Sequence, residues 1–257
     1  MQPARHLEIL RRETTLVGEI DPGSLAAPVP TLEDWNVERV VRHLGKIHQW
    51  ALGMLDLEPG QTMDDIAPMA GVPKGPDSLP AYRDAAGALL ERLAAEDPDR
   101  SCLNFAGVGT VAWWMRRQAQ EVAVHRVDAH DAVHAAGGPA PDPLAADGAA
   151  DGIDEWARFF VAQRWAQRVG TLPDDLTGHT VHIHGTNDPA PADGAEWLLT
   201  FGTDGVEVEA THAKGDVALR GSTNDLLLAL WRRRPLTDLD VIGDAAFAQR
   251  LLDAVRF

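Results

Sequence analysis

The fold is decided by residues 120–128, which read Gln120-Glu121-Val122-Ala123-Val124-His125-Arg126-Val127-Asp128. At about 100° per residue, a helix places Glu121 and His125 roughly 40° apart, and Asp128 returns close to Glu121. These three polar side chains therefore share one face of a helix whose neighbouring positions are largely apolar. Because a helix with so many valines and tryptophans is not solvated all round, we expect some of these polar groups to point into a helical bundle.

Apolar residues recur at helical spacing in three segments before this one. They cover about residues 4–18, 32–55 and 81–96, and the fourth helix runs from about Val111 to Ala136. A long connection rich in proline and glycine, residues 58–79, separates the second helix from the third. The pattern predicts a four-helix bundle with one long crossover.

The composition changes most clearly at Gly137-Gly138-Pro139-Ala140-Pro141-Asp142-Pro143. A helical pattern follows over 153–169, then four short β-prone stretches at 180–184, 196–200, 205–209 and 217–220, and two more helical patterns at 224–234 and 244–255. We therefore predict a bundle domain over 1–136, a linker over 137–152 and a smaller α+β domain over 153–257.

Composition and charge exclude several classes of function. The chain has 257 residues, with 23 Lys+Arg against 39 Asp+Glu, and a net charge of −16 repels nucleic acid and anionic membrane surfaces. A hydrophobic content of 45% is too high for a disordered acidic chain. The single Cys102 cannot form an internal disulfide, and the N-terminus lacks the apolar core of a signal peptide, so we predict a cytoplasmic protein.

Glu121 and His125 together are half of a metal site of the kind found in helical bundles. A third ligand has to come from another helix, and His43 and His48 are the candidates. Because five residues place them about 140° apart, only one reaches the same centre, and Gly45 favours His43 by permitting close backbone approach. A Glu-x-x-x-His pair is also common on helix surfaces, so the spacing alone leaves a structural pair open.

Several motifs carry a resemblance to a known family. In the first half they are Asp34-Trp35-Asn36-Val37 with residues 40–44 (VVRHL), and residues 117–121 (RQAQE) with 125–129 (HRVDA); in the second half they are residues 152–155, 226–233 and 241–244. Together they resemble the mycothiol-dependent maleylpyruvate isomerase family, a branch of the DinB-like metalloenzymes. The resemblance spans nearly the whole chain and implies a DinB-like four-helix bundle followed by that family's α+β C-terminal domain.

The resemblance also implies a site and a chemistry. In that family a His on helix two and a Glu and a His on helix four bind one divalent metal, usually zinc; carried over by motif, these are His43, Glu121 and His125. Mycothiol is the implied thiol cofactor or cosubstrate. Two imidazoles and a carboxylate leave Zn²⁺ with an open position, where a thiol loses its proton. The implied activity is isomerisation or thiol S-transfer through a metal-bound thiolate. The implied substrate is small and electrophilic, and an anionic substrate is one of the options.

Two alternatives remain open at the level of sequence. One is a metal-dependent hydrolase with a bound water in place of the thiol, and the other is a non-catalytic DinB-like module that senses a ligand. The expected partners are a small-molecule substrate and a low-molecular-weight thiol, without nucleic acid or membrane, and the chain is expected as a monomer or homodimer. Asp128 is predicted either to orient an imidazole N–H or to pair with Arg126 or Arg117.

The remaining histidines receive structural interpretations. Of His179, His182 and His184, only the last two share a strand face, and no nearby acidic residue completes a ligand set, so we predict a solvent-facing histidine strand. His130 and His134 lie at a helix end, where such side chains commonly sit near exposed carbonyl groups.

Overall fold

The computed structural model describes residues 1–255, and the chain divides into two compact units, Met1–Asp142 and Pro143–Phe257. The first unit holds four helices, α1 (Pro3–Gly18), α2 (Val37–Leu55), α3 (Ser78–Ala95) and α4 (Val111–Ala135), and a short hairpin of β1 (Ser101–Asn104) and β2 (Gly107–Thr110). Helix α1 packs against α3 and α4, and α2 packs against the same two helices. The predicted four-helix bundle is confirmed.

Helix α2 begins five residues later than its apolar pattern indicates. The segment before it forms an antiparallel bridge between Pro28 and Asn36, and Asp34 adopts the left-handed region with a φ of 61°. The Asn36 side chain then accepts a hydrogen bond from the backbone N–H of Arg39 at 2.9 Å and caps the helix. The predicted start at residue 32 is therefore wrong, because turn and cap geometry override the apolar spacing there.

The hairpin of β1 and β2 was not expected from the sequence. Its second strand starts at Gly107 with a φ of 126°, a conformation that suits only glycine. Two four-residue strands are too short to show a clear alternation. Cys102 is buried in β1, and burial raises the pKa of its thiol, which is the opposite of an activated nucleophile.

A buried ion pair joins the first and last helices of this unit. Arg126 on α4 is fully buried, and its Nε donates to Glu13 Oε2 on α1 at 2.6 Å. The same guanidinium donates through a second nitrogen to the Asp142 carbonyl at 2.7 Å. This pair ties α1 to α4 at a position shielded from water.

The second unit begins with a helical segment and continues as a sheet. Helix α5 (Ala146–Glu155) continues through a π-helix (Trp156–Trp165) into α6 (Ala166–Val169). The stretch expected as a linker, 137–152, thus contains the first turns of α5, because its alanines favour helix once the prolines at 139, 141 and 143 are passed. The small residues Gly148 and Gly152 are buried, and α5 packs against α7 (Thr223–Leu230).

Five strands form the sheet of the second unit in the order β5-β4-β3-β6-β7. The strands are β3 (Thr180–Gly185), β4 (Glu196–Gly202), β5 (Gly205–Glu209), β6 (Val217–Gly221) and β7 (Asp240–Gly243), and helix α8 (Ala245–Ala254) follows. Neighbours are antiparallel except for the parallel pair β3 and β6. The predicted α+β architecture is confirmed, with β7 as a strand that the pattern missed. Among residues 1–255, the helices are all too short or too polar to span a membrane.

Candidate metal centre

Helices α2 and α4 bring three metal-ligating side chains to one place. His43 comes from α2, and Glu121 and His125 lie one turn apart on α4. Glu121 Oε1 lies 2.9 Å from His43 Nε2 and 3.4 Å from His125 Nε2, and the three ligand atoms all lie within 4.8 Å of one another. The structure therefore places the three predicted ligands together, on facing helices of the bundle.

The donor set and its spacing fit a divalent cation. Zinc bonds to histidine nitrogen and carboxylate oxygen are about 2.0–2.2 Å long, so tetrahedral neighbours lie about 3.3 Å apart. The measured separations of 2.9 and 3.4 Å are close to that spacing. Two imidazoles and one carboxylate also match the ligand type of catalytic zinc sites, which keep a position open for water or substrate.

Two neighbours on α4 hold these ligands in position. Asp128 is fully buried, and its Oδ2 lies 2.8 Å from His125 Nδ1, so it accepts the Nδ1–H and leaves His125 Nε2 directed at Glu121. Arg117 donates to Glu121 Oε2 at 3.0 Å, which leaves Oε1 to face the two histidines. Of the two roles predicted for Asp128, the contact with the imidazole is present.

Charge coupling shifts the pKa values of the cluster in opposite directions. Burial alone raises the pKa of Glu121, but the hydrogen bonds from His125 and His43 outweigh it and hold that pKa well below its usual range. Burial alone lowers the pKa of His125, but the hydrogen bonds with Asp128 and Glu121 raise it to about 9. A bound cation would take the place of the imidazolium proton as the positive partner of both carboxylates.

Trp35 forms an aromatic wall beside the two histidines. Its ring stacks on His125 with centroids 5.7 Å apart and planes 4° apart, and it meets the His43 ring edge-on at 5.3 Å. The guanidinium of Arg39 also packs on Trp35, 4.8 Å from the ring centroid. The turn before α2 therefore serves the site, because it presents Trp35 to ligands from both helices.

A basic cavity opens beside His43 and Trp35. It has a volume of about 530 Å³ and is lined by Arg39, Arg42, Lys46 and Lys74, together with Asn36 and Glu38. Two of the chain's three lysines thus lie in one cavity of a protein with a net charge of −16. The sequence reasoning missed this cavity, although residues 39, 42, 43 and 46 recur at helical spacing on one face of α2.

His48 does not belong to the cluster. Its side chain is fully buried, and its Nδ1 lies 2.8 Å from Gln118 Oε1. Burial lowers the pKa of His48 to about 4, so the ring is neutral and its Nδ1–H donates to the amide oxygen. The preference for His43 over His48 agrees with this arrangement.

A second group of histidines lies in the sheet unit, and here the expectation of a solvent-facing histidine strand is wrong. His182 is buried, and Glu196 on β4 lies within 3.3 Å of both His182 and His184. The acidic residue was missed because only the antiparallel pairing of β3 with β4 brings it opposite His184. The group gains a further imidazole from His212, while His179 lies apart and contacts Asp216 at 3.8 Å.

The first unit is a four-helix bundle with an inward set of His, Glu and His, and the second unit is an α+β domain. Together they define a class of two-unit bundle proteins with a candidate metal centre. Comparison with family models identifies the family within this class. Residues 6–130 match the mycothiol maleylpyruvate isomerase N-terminal domain, and residues 147–250 match the C-terminal domain of the same family. The chain therefore belongs to the mycothiol-dependent maleylpyruvate isomerase family, a family of enzymes.

Solved structures support the fold across both units. The crystal structure of the mycothiol-dependent maleylpyruvate isomerase aligns with a TM-score of 0.53 at 15% identity, and a histidine-to-alanine mutant of that enzyme aligns with a TM-score of 0.55 at 14% identity. Each alignment covers 89% of this chain and 88% of the other. Comparison with curated proteins finds no match to this chain.

Proposed function

We propose that this chain is a metal- and mycothiol-dependent isomerase or thiol S-transferase, with zinc as the favoured metal. The observation that carries the proposal is the convergence of His43, Glu121 and His125, whose ligand atoms lie within 4.8 Å of one another on facing helices. Membership of a family named for mycothiol and maleylpyruvate supports the thiol and the type of reaction.

When bound, a divalent cation supplies positive charge that stabilises a deprotonated thiol at neutral pH. The chain's own residues prepare this site. Arg117 holds Glu121 Oε2, and Asp128 holds His125 Nδ1–H, so that Glu121 Oε1 and His125 Nε2 face the same point as His43 Nε2. Trp35 packs against both imidazoles and limits their rotation.

The proposed chemistry is addition of a thiolate to an activated double bond. The sulfur bonds to one carbon, the π electrons move to a conjugated carbonyl, and rotation about the new single bond precedes loss of the thiolate. This sequence returns the thiol and changes only the geometry of the double bond. If the adjacent carbon takes a proton before the sulfur leaves, the product is a thioether and the reaction is an S-transfer.

The basic cavity supports an anionic substrate. Arg39, Arg42, Lys46 and Lys74 line a space that also contains His43, so a carboxylate bound there lies beside the candidate metal ligands. Arg42 is already fixed by its Nε, which donates to the Val72 carbonyl at 3.1 Å. A local excess of cations in an acidic protein favours small carboxylates over neutral substrates.

The metal site is tested by the zinc content of the wild type and of Glu121→Ala, after removal of metal and reloading. We expect Glu121→Ala to lose the zinc held at this site because the variant removes the one anionic ligand, while Glu91→Ala, at an exposed glutamate on α3, retains it. Equal zinc content in Glu121→Ala and the wild type would refute the assignment of these three residues as metal ligands.

The thiol is tested by mass spectrometry of the products formed from maleylpyruvate and related electrophiles, with and without mycothiol. Turnover that requires mycothiol supports the proposal. Turnover that is unchanged by its omission would favour a hydrolase with a bound water, and ligand binding without turnover would favour a sensing module. The reducing cytoplasm and the monomer or homodimer state stay predictions from the sequence.

The basic cavity is tested by Lys46→Ala. We expect KM for an anionic substrate to rise roughly 5-fold with kcat nearly unchanged, since the variant removes one exposed cation that contacts the substrate in the ground and transition states alike. Arg11→Ala, at an exposed arginine of α1 that lies outside the cavity, serves as the matched control. An equal rise in KM in both variants would contradict the assignment.

A further inference from the structure

We propose that the second unit carries its own divalent metal site, formed by His182, His184, Glu196 and His212. These residues belong to β3, β4 and the segment between β5 and β6, so they share no ligand with the centre on α2 and α4. The site is a four-ligand set of three imidazoles and one carboxylate.

The sheet itself assembles three of the four ligands. In the antiparallel register His184 pairs directly with Glu196, and His182 lies two residues earlier on the same face of β3. Val181 and Ile183, which alternate with the two histidines along β3, point to the opposite face and are buried in the core. The core therefore fixes the strand that presents both histidines.

His212 completes the group from outside the sheet. It lies in the segment 210–216 between β5 and β6, and its ring centroid is 5.4 Å from that of His182 and 5.7 Å from that of His184. His182 is only 5% exposed although it lies on the face away from the core. The segment that carries His212 thus folds back over this face of the sheet.

The ligand atoms have the spacing of a coordination shell. Glu196 Oε2 lies 3.1 Å from His182 Nε2 and 3.3 Å from His184 Nδ1, and it makes its shortest contact with His212 Nδ1. All four ligand atoms lie within 4.8 Å of one another. One carboxylate oxygen offers two lone pairs, too few for three well-directed imidazole hydrogen bonds, whereas a cation at the centre satisfies all four groups at once.

The chemistry of the donors selects the metal. Three imidazole nitrogens suit zinc and its neighbours in the first transition row, whereas calcium and magnesium require mainly oxygen ligands. Lys214 and Arg220 line the same cavity, and their positive charge disfavours an ion that is held by electrostatic attraction alone. Four protein ligands form a closed shell, so we assign the ion a structural role in pinning the segment 210–216 to the sheet.

Zinc stoichiometry tests the site in the full chain without a histidine tag. We expect the chelator-treated wild type to take up two equivalents, and Glu121→Ala and His212→Asn to take up one each. The combined variant is expected to take up none. His212 is well exposed, so its replacement does not threaten the fold. His179→Asn is the matched control, because His179 lies just before β3 and outside the group. This variant is expected to keep two equivalents of zinc.

The outcomes separate this site from the proposed active site. The second site is supported if Glu121→Ala takes up one equivalent of zinc and the addition of His212→Asn removes it. This result supports the second site even if the site on α2 and α4 does not bind zinc. Equal zinc uptake by His212→Asn and the wild type overturns the second site, whatever Glu121→Ala does.

Tryptic cleavage after Lys214 provides a readout that does not depend on stoichiometry. Lys214 is exposed and lies two residues after His212. In the Glu121→Ala background, we expect zinc to slow cleavage of the Lys214–Gly215 bond at least 10-fold, and to have no such effect once His212→Asn is added. A cleavage rate that does not respond to zinc would refute the pinning of this segment.

Discussion

Replacing Asp128 with Asn tests how the candidate metal centre is organised. Asp128 is fully buried and its Oδ2 lies 2.8 Å from His125 Nδ1, so the imidazole N–H is donated to a charged acceptor away from water. Asn keeps the size of the side chain but offers a neutral acceptor. His125 then becomes a less basic ligand whose ring is less firmly oriented.

The expected loss of zinc affinity follows from this hydrogen bond. Removing a carboxylate that supports a ligating histidine costs roughly 10- to 100-fold in affinity, or about 1.4–2.7 kcal/mol. The Asp128→Asn variant should lie in this range, while Glu121→Ala, which removes a ligand itself, should show no measurable binding at this centre.

Competition with a chromophoric chelator at neutral pH measures the dissociation constants, in a His212→Asn background so that only the centre on α2 and α4 is counted. Circular dichroism confirms that each variant is folded. Asp131→Asn, one turn further along α4, controls for the loss of a negative charge from the same helix. A dissociation constant for Asp128→Asn within about 2-fold of the parent would refute the supporting role and leave Asp128 as a packing residue.

Two further predictions concern the stability of the bundle. Burial lowers the pKa of His48 to about 4 in the folded state, against about 6.5 in the unfolded state. Between these two values the unfolded chain binds a proton that the folded chain does not, so the free energy of unfolding falls as the pH decreases. The fall levels off below about pH 4. Between about pH 7 and pH 5, urea unfolding should show the wild type losing about 2 kcal/mol more than His48→Gln, and superimposable curves would contradict it. Arg126→Met removes the buried partner of Glu13 and leaves the carboxylate only its contact with the half-exposed Arg12, so we expect a loss of about 3 kcal/mol in unfolding free energy. Adding Glu13→Gln should restore part of it, and a loss below about 1 kcal/mol would show that the pair is not needed.

Much of the first site was within reach of sequence reasoning, because its ligands follow helical geometry. Glu121 and His125 are one turn apart on a single helix, so their shared face depends only on the helical repeat. His43 required the additional assumption that α2 packs against α4, and the apolar spacing of both helices supports that packing. The position of Trp35 was beyond reach, since it depends on a turn with Asp34 at positive φ.

The chain's sequence by itself determined the bundle, the α+β second half and the polar face of α4, because hydrophobic periodicity and local spacing are properties of neighbouring residues. Apart from His43, the tertiary structure alone decided which side chains from distant segments meet. Glu196 joins His182 and His184 through strand register, and His212 joins them through the path of a loop. Lys74, in the long connection between α2 and α3, joins the basic residues of α2. Such contacts arise from the packing of the whole chain, which sets distances that no local pattern encodes.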